Sequence, residues 1–261
     1  MSHETLKLET DARGVASLTL ARADKHNAMN ATMIRELANV AKRLAGDPAV
    51  RAVVLSGEGA SFSAGGDLGW MQEQWAKDRA GRIAEAGMLA GMLKALDDLP
   101  QPLIARVHGP AYGGGLGLMA VSDVVIASTQ AKFALTETRL GLIPATIGPF
   151  VVRRIGEGHA RSVFLNAKPF DAATAQRLGL ATIVCAPGEI DQAVEAEVAA
   201  VLKCAPGAVR DAKALAKHLA RNPASNLGPY SIERLADRWE SAEARDGIEA
   251  FFARKSPPWT S

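Results

Sequence analysis

The sequence predicts an α/β fold that ends in an all-helical region. Strand-like and helix-like segments alternate through the first half of the 261-residue chain, and from residue 144 onward the pattern is mainly helical. The length suits one large domain with space for a pocket. We expect a core over residues 1–200. A helical region over 201–261 is expected to pack on that core or on a neighbouring subunit.

The first elements are predicted to be a hairpin, a helix and a buried strand. Residues 5–10 and 16–20 alternate between apolar and polar on either side of the turn Asp11–Gly14. Asn30 is a suitable N-cap. The apolar face of the helix that follows carries Ile34, Leu37, Val40, Ala41 and Leu44. The apolar run at 52–55 predicts the buried strand.

Further strands and helices follow in alternation. Residues 67–98 are rich in Ala, Met, Leu and Trp and predict two helices, which end at Pro100. Buried strands are predicted at 103–107 and 123–127, with a short apolar helix between them at 116–121. Later helical patterns cover 158–165, 171–178, 189–203, 207–219 and 225–254.

Composition excludes several classes of protein. The net charge of +2 is too small to indicate nucleic-acid binding. Cys185 and Cys204 form no CxxC pair and have no nearby histidine cluster, so neither a metal site nor a disulfide framework is indicated. The N-terminus is polar, and no apolar run is long enough to span a membrane. We therefore expect a cytoplasmic protein with no nucleic-acid or membrane partner.

Two glycine-rich turns are the strongest chemical signal. Each of two predicted buried strands leads into such a turn, Phe62–Asp67 and Tyr112–Gly115, and each turn opens a helix. Free N–H groups point outward there, the helix dipole adds positive potential, and glycine permits close approach of a ligand. Two such turns can direct two N–H groups at one oxygen, as an enolate or tetrahedral oxyanion requires. The alternative is that both turns are only tight connections.

Other glycine-loop functions do not fit. A phosphate-binding P-loop is excluded, because the chain has no G-x-x-x-x-G-K-[ST] motif. A Rossmann dinucleotide site is disfavoured, because no acidic residue follows a G-x-G-x-x-G turn at the required distance.

A third segment, Lys132–Pro144, completes a resemblance. Together with the two turns it resembles the crotonase superfamily of enoyl-CoA hydratase/isomerase proteins, and the similarity extends to Arg22–Ala28 and Gly247–Lys255. The resemblance implies a crotonase-type (ββα) spiral core and a C-terminal helical trimerisation region. It also implies an acyl-CoA thioester substrate, no cofactor beyond the coenzyme A of that substrate, no metal, and a homotrimer or dimer of trimers.

The resemblance assigns roles to individual residues. Ala64 and Gly114 occupy the positions of the two oxyanion-hole N–H groups, and Glu137 occupies that of a catalytic glutamate. For the lysines at 25 and 255, a solvated surface role is the alternative. The remaining implied contacts to substrate and coenzyme A are Lys25, His26, Ala28, Gly65, Gly66, Asp67, Leu68, Gly117, Phe251 and Lys255, with the last two sometimes supplied by a neighbouring subunit.

Gly117 is a departure from the family pattern. Hydratases of this family usually hold water between two glutamates, and the position of the first is Gly117 here. Glu137 must then do both proton transfers, or a water or substrate group must help. We also expect Gly117 to enlarge the pocket beside the hole. The motifs Gly109–Leu118 and Gly141–Ile147 resemble those of bacterial hydratases that act on branched glutaconyl-CoA substrates.

Three functions remain open. The first is reversible hydration of a 2-enoyl-CoA, with a branched glutaconyl-CoA as the favoured substrate and Arg139 as a candidate for its second carboxylate. The second is a Δ3,Δ2-enoyl-CoA isomerase, for which one glutamate suffices. The third is a non-catalytic acyl-CoA-binding protein, which Glu137 and both turns disfavour. Several flexible methionines and planar tryptophans suit a bulky acyl chain, with core packing as the alternative; they are Trp70, Met71, Trp75, Met88 and Met92.

Overall fold

A computed structural model describes residues 3–222 and 227–260 of the chain. The strands are β1 (Leu6–Thr10), β2 (Val15–Leu20), β3 (Ala52–Gly57), β4 (Leu103–Val107), β5 (Ala111–Tyr112), β6 (Val124–Ser128), β7 (Lys132–Ala134), β8 (Phe170–Asp171) and β9 (Ile183–Cys185). The helices are α1 (Ala31–Ala45), α2 (Leu68–Ala76), α3 (Arg79–Asp97), α4 (Gly114–Val121), α5 (Gly148–Phe164), α6 (Ala172–Arg177), α7 (Ile190–Leu202), α8 (Pro206–Arg221), α9 (Leu227–Trp239) and α10 (Ala242–Phe252).

A six-stranded sheet in the order β1-β2-β3-β4-β6-β9 forms the centre of the fold. β1 and β2 are the predicted antiparallel hairpin, and each later strand of this sheet pairs parallel to its neighbour. The carboxyl ends of β3 and β4 therefore lie at the same edge. A bridge between Ser63 and Ala111 joins the segments that follow these two strands. A smaller sheet, β5-β7-β8, lies beyond it.

Helices cover both faces of the large sheet, so its central strands are apolar on both sides. On one face, α1, α3, α4 and α5 bury the main core. The predicted Asn30 cap is confirmed, because its Oδ1 accepts a hydrogen bond of 2.9 Å from the Met33 N–H. On the other face, Ile104 and Ile126 pack against Ile190 of α7 in a smaller core.

The C-terminal helices differ from this pattern. No residue of α8 is buried, and its cationic side chains hold it to the core. Lys213 bonds to the Gln101 carbonyl oxygen and the Asp123 carboxylate, and Arg221 bonds to the Asp97 carboxylate. Two more cations of α8 make similar bonds: Arg210 donates to the Val50 carbonyl oxygen and Lys217 to the Asp98 carboxylate.

The helical prediction for the second half is largely confirmed, with two exceptions. The short strands β8 and β9 interrupt the helical region. The helix predicted at 225–254 is wrong as one element, because α9 and α10 are separate helices; its first two positions lie outside the described residues. Ser241 stands at the break, where its Oγ caps α10 by accepting from the Ala244 N–H at 3.1 Å. Within the described ranges, no helix is long and apolar enough to cross a membrane.

Candidate active site

The loop before α1 is bonded to the turn after β3 by a buried asparagine. Asn27 is fully buried. Its side-chain amide donates to the carbonyl oxygens of Glu58 (2.8 Å) and Ser61 (2.9 Å), and its Oδ1 accepts from the Arg22 N–H (3.0 Å). His26 and Asn27 have φ of 51° and 53°, in the left-handed region that asparagine tolerates better than most residues. Asn27 therefore fixes this loop against the turn, a role that the sequence analysis missed.

The first free N–H of the turn belongs to Gly66 and not to Ala64. The Ala64 N–H donates to the His26 carbonyl oxygen at 2.8 Å, so it cannot serve a ligand in this conformation, and the predicted role of Ala64 is corrected. On either side of Gly66, the Met29 N–H donates to the Gly65 carbonyl oxygen (2.7 Å) and the Asp67 N–H donates to the Met29 carbonyl oxygen (3.0 Å). Within the described chain, no protein acceptor takes the Gly66 N–H between them.

The second turn presents the N–H of Gly114. Gly113 has φ of 46° and donates its N–H to the Ala134 carbonyl oxygen at 3.0 Å. Gly114 begins α4, and its N–H has no acceptor among residues 3–222 and 227–260, as expected for the first turn of a helix. A Cβ at Gly65 would lie 3.4 Å from the Gly114 nitrogen, and one at Gly114 would lie 2.1 Å from Met29 Cε. The two turns are thus in direct contact, at a spacing that glycine permits.

Glu137 places its carboxyl group at this junction. A Cβ at Gly113 would lie 3.2 Å from Glu137 Oε1. Oε2 is buried, and no described residue gives it a hydrogen bond. Burial raises the pKa of the Glu137 carboxyl group, because the charged form loses hydration. A carboxyl group with a raised pKa against the turn that carries the free Gly114 N–H is suited to accept and return a proton.

Gly117 does not open the pocket, contrary to the prediction. Gly117 is buried on α4. A Cβ at this position would lie 2.7 Å from Ile147 Cγ2 and 3.3 Å from Leu93 Cδ1. Hydrocarbon from α3 and from the start of α5 fills the volume where a second carboxylate would begin. No pattern in the sequence indicates that Ile147 takes part in this contact.

Asp67 and Leu68 follow the first turn. Asp67 caps α2 by accepting from the N–H groups of Gly69 (2.8 Å) and Trp70 (3.2 Å), and its other oxygen pairs with Arg22 at 3.0 Å. Burial acts to raise the pKa of Asp67, but these hydrogen bonds and the Arg22 charge lower it overall. Leu68 is 78% exposed. The turn is therefore anchored on both sides and carries an exposed apolar side chain.

The other predicted contacts near the loop differ in exposure. Lys25 and His26 are exposed, and Ala28 is buried. The His26 ring bonds to Ser61 Oγ at 3.0 Å. Among the candidate acyl-pocket side chains, Met92 belongs to the core and Trp75 is 85% exposed. The remaining three candidates are Trp70, Met71 and Met88, which are partly or largely exposed.

Phe251 and Lys255 are not brought to the turns within one chain. Glu243 of α10 accepts from N–H groups at the start of α8. Arg51, just before β3, donates to the carbonyl oxygen of Trp259. These contacts place α10 near the end of the sheet where β3 begins, whereas the glycine turn follows the opposite end of that strand. Both predicted residues are exposed.

Comparison with known proteins agrees with this architecture. The enoyl-CoA hydratase/isomerase family profile matches residues 10–261. A protein of Rhizobium meliloti named probable enoyl-CoA hydratase is 34% identical, covering 98% of this chain and 97% of its own. The 1,2-epoxyphenylacetyl-CoA isomerase of Escherichia coli is 31% identical, covering 95% of each chain.

The fold also superposes closely on a solved structure. The structure of Pseudomonas aeruginosa AtuE superposes with a TM-score of 0.95 at 37% identity, covering 99% of this chain and 100% of the other. The expected crotonase-type fold is confirmed. The family profile over nearly the whole chain and the close superposition agree with the two contacting glycine turns and the partly buried Glu137, and this chain belongs to the enoyl-CoA hydratase/isomerase family.

Proposed function

We propose that this enzyme adds water reversibly to a 2-enoyl-CoA, with Glu137 as the single acid and base. The observation that carries the proposal is the place of its carboxyl group, against Gly113 and beside the free N–H groups of Gly66 and Gly114. Those two N–H groups hold the thioester oxygen. Each well-placed donor of this kind contributes about 2.7–4 kcal/mol to stabilisation of the transition state.

The proton transfers follow from this arrangement. Glu137 removes a proton from water as the water oxygen bonds to C3 of the substrate. The electrons of the C2–C3 double bond move toward the thioester, whose oxygen becomes the enolate held by the two N–H groups. Glu137 then returns the proton to C2, which completes the addition of one water. A positioned acid/base contributes about 10²–10⁴-fold to such a rate.

A branched glutaconyl-CoA is the substrate that we favour. Such a substrate carries a second carboxylate, which can assist proton transfer where the protein has Gly117 and no second acid. Arg139 is exposed just after Glu137 and is a candidate cation for that carboxylate. The test is to compare kcat/KM for methylglutaconyl-CoA and crotonyl-CoA, which lacks the carboxylate. Equal efficiency with both would contradict this choice of substrate.

A Δ3,Δ2-enoyl-CoA isomerase is the second candidate. It is favoured by the hydrocarbon that Ile147 and Leu93 place against Gly117, because moving a proton between C2 and C4 needs only one carboxyl group. Incubation with 3-enoyl-CoA and with 2-enoyl-CoA separates the two functions. Only a hydratase forms the 3-hydroxyacyl product.

A non-catalytic acyl-CoA-binding protein is the remaining alternative. Glu137→Gln distinguishes a binding protein from an enzyme, because glutamine keeps the shape of the side chain but cannot accept and return a proton. We expect acyl-CoA binding to persist and turnover to be lost. Turnover equal to that of the unmodified enzyme would remove Glu137 from the mechanism.

The proposal includes a cytoplasmic enzyme that needs no cofactor beyond the coenzyme A of its substrate and assembles as a homotrimer or dimer of trimers. Exposed apolar side chains on α9 and α10 support self-association; they are Ile232, Leu235, Trp239, Phe251 and Phe252. In such an assembly the region 201–261 can bring Phe251 and Lys255 to the coenzyme of a neighbouring copy. Analytical ultracentrifugation tests the assembly, and a monomer at working concentration would contradict it.

A further inference from the structure

Two glycines at the start of α4, the N-cap Gly113 and the helical Gly117, have different neighbours. Gly113 and Gly117 are one helical turn apart, joined by a bond of 3.4 Å from the Gly117 N–H to the Gly113 carbonyl oxygen. The first lies against the Glu137 carboxyl group, and the second lies against Ile147. Gly114 and Gly117 are three residues apart within α4, so a side chain at 117 would extend on the same side of the helix as a Cβ at Gly114, which would lie 3.9 Å from Gly65 Cα of the first turn.

The Ile147 side chain cannot easily move away from Gly117. The Ile147 atoms facing Gly117 are Cγ2 and Cβ, at 2.7 Å and 3.2 Å from a Cβ placed there, and both are close to the backbone. The Ile147 carbonyl oxygen accepts from the Phe150 N–H (3.0 Å) and the Val151 N–H (3.1 Å) at the start of α5. Ile147 is 2% exposed. The backbone and the side chain are thus both fixed.

The surroundings of Gly117 are also unsuited to a charge. The third neighbouring atom is Leu93 Cδ1, at 3.3 Å, so all three nearest atoms are hydrocarbon. A carboxylate placed there would lose hydration without gaining a hydrogen bond, which is costly. Steric fit and polarity both oppose a second acid at this point.

We propose that Gly117 and Ile147 form a complementary pair that sets the reaction specificity of the site by holding it to one carboxyl group. Ile147 is the specificity-determining member, since its side chain occupies the volume in which a second acid would stand. The proposal rests on the proposed function, because it assumes that Glu137 is the acid and base. Removing the Ile147 side chain should make room for a second acid, and a glutamate introduced at position 117 in that background should then increase hydration of a simple 2-enoyl-CoA.

The packing half of the proposal is tested by thermal unfolding of Gly117→Ala, Ile147→Ala and the double variant. Gly117→Ala should lower Tm by roughly 2–10 °C in the unmodified chain, because it overpacks the contact. In the Ile147→Ala background the same change should raise Tm, because the new methyl group fills part of the cavity. Gly87→Ala is the matched control, since a Cβ there meets no atom of residues 3–222 and 227–260 within 4 Å; its effect on Tm should be equal in both backgrounds. A change at 117 with the same sign in both backgrounds would overturn the pair.

The chemical half compares two double variants, Ile147→Ala with Gly117→Glu and Ile147→Ala with Gly117→Gln. We expect the glutamate variant to hydrate crotonyl-CoA at least about tenfold faster than the glutamine variant, as a working acid/base should. Equal rates would overturn the assignment of specificity. A glutamate variant that does not fold beside a folded glutamine variant would overturn it too, because the volume would then be unable to hold an acid. Failure of both variants to fold would overturn it as well, because the volume freed by Ile147→Ala would then be too small for a side chain of this length.

The proposed function can fail separately. Inactivity of the unmodified enzyme with every enoyl-CoA would remove the proposed function but leave the reversal of the Tm effect intact. An active enzyme in which Gly117→Ala changes Tm with the same sign in both backgrounds would keep the proposed function and overturn the pair of Gly117 and Ile147.

Discussion

Glu137→Gln should stabilise the fold at neutral pH while removing catalysis. Oε2 of Glu137 is buried and has no hydrogen-bond partner in the described part of the chain, and burial raises the pKa of the carboxyl group above the ordinary value of 4.5. A raised pKa means that folding favours the protonated acid over the carboxylate. The stability associated with the acid is fully present below the unfolded-state pKa and is lost as pH rises through the folded-state pKa.

The expected gain comes from removing a negative charge that the fold partly withdraws from water, and the cost of an unsatisfied buried group sets its scale. Leaving a buried polar group unsatisfied costs about 1–3 kcal/mol. Glu137 is only partly buried, and the glutamine amide also lacks a partner at this place, so we expect the lower end, about 1 kcal/mol. For a chain of this length that corresponds to a Tm increase of about 2–4 °C.

Thermal unfolding of both proteins from about pH 4 to about pH 8 measures the difference. The two Tm values should be similar at the acid end and should separate as pH rises above the ordinary glutamate value. The control is Glu9→Gln on β1, where the residue is exposed and the change should leave the pH dependence unaltered. A Glu137→Gln protein that is less stable at neutral pH, or a difference that does not vary with pH, would refute the reasoning. In the same samples, kcat should fall by at least about 10²-fold.

Two further predictions concern the first turn. Gly66→Pro deletes the free N–H and should reduce kcat by about 10²-fold or more. Gly66→Ala keeps the N–H and should stay active, since the nearest described atom to its Cβ is 3.7 Å away. Similar losses of kcat in both variants would argue against this donor. Asn27→Ala leaves the carbonyl oxygens of Glu58 and Ser61 without their donor and should lower the free energy of unfolding by about 2–3 kcal/mol in urea titrations. A loss below about 0.5 kcal/mol would mean that water replaces the amide.

The sequence predicted the elements whose signals are local. The hairpin at β1 and β2, the Asn30 cap and the apolar strands β3, β4 and β6 all follow from patterns within a few residues. The strands of the smaller sheet were missed, since β5, β7 and β8 are too short to establish an alternation.

The errors at the site are of a different kind. The Ala64 N–H is taken by the His26 carbonyl oxygen, and the space at Gly117 is filled by Ile147. Both partners are distant in the sequence, so no local pattern reveals whether a backbone donor is free or whether a glycine borders a cavity. Motif position identified the segments, but the tertiary contacts decided which of their atoms are available.

The attachment of α8 has a consequence for how the molecule responds to its solvent. This helix has no buried residue and meets the core through Lys213, Lys217 and Arg221. Dissolved ions screen exposed charges strongly and buried pairs much less. Among these three cations the Arg221 side chain is the most exposed and that of Lys213 the least. Added salt should therefore weaken the attachment of α8 first at its Arg221 end, while the pair of Lys213 with Asp123 keeps the first half of the helix in place.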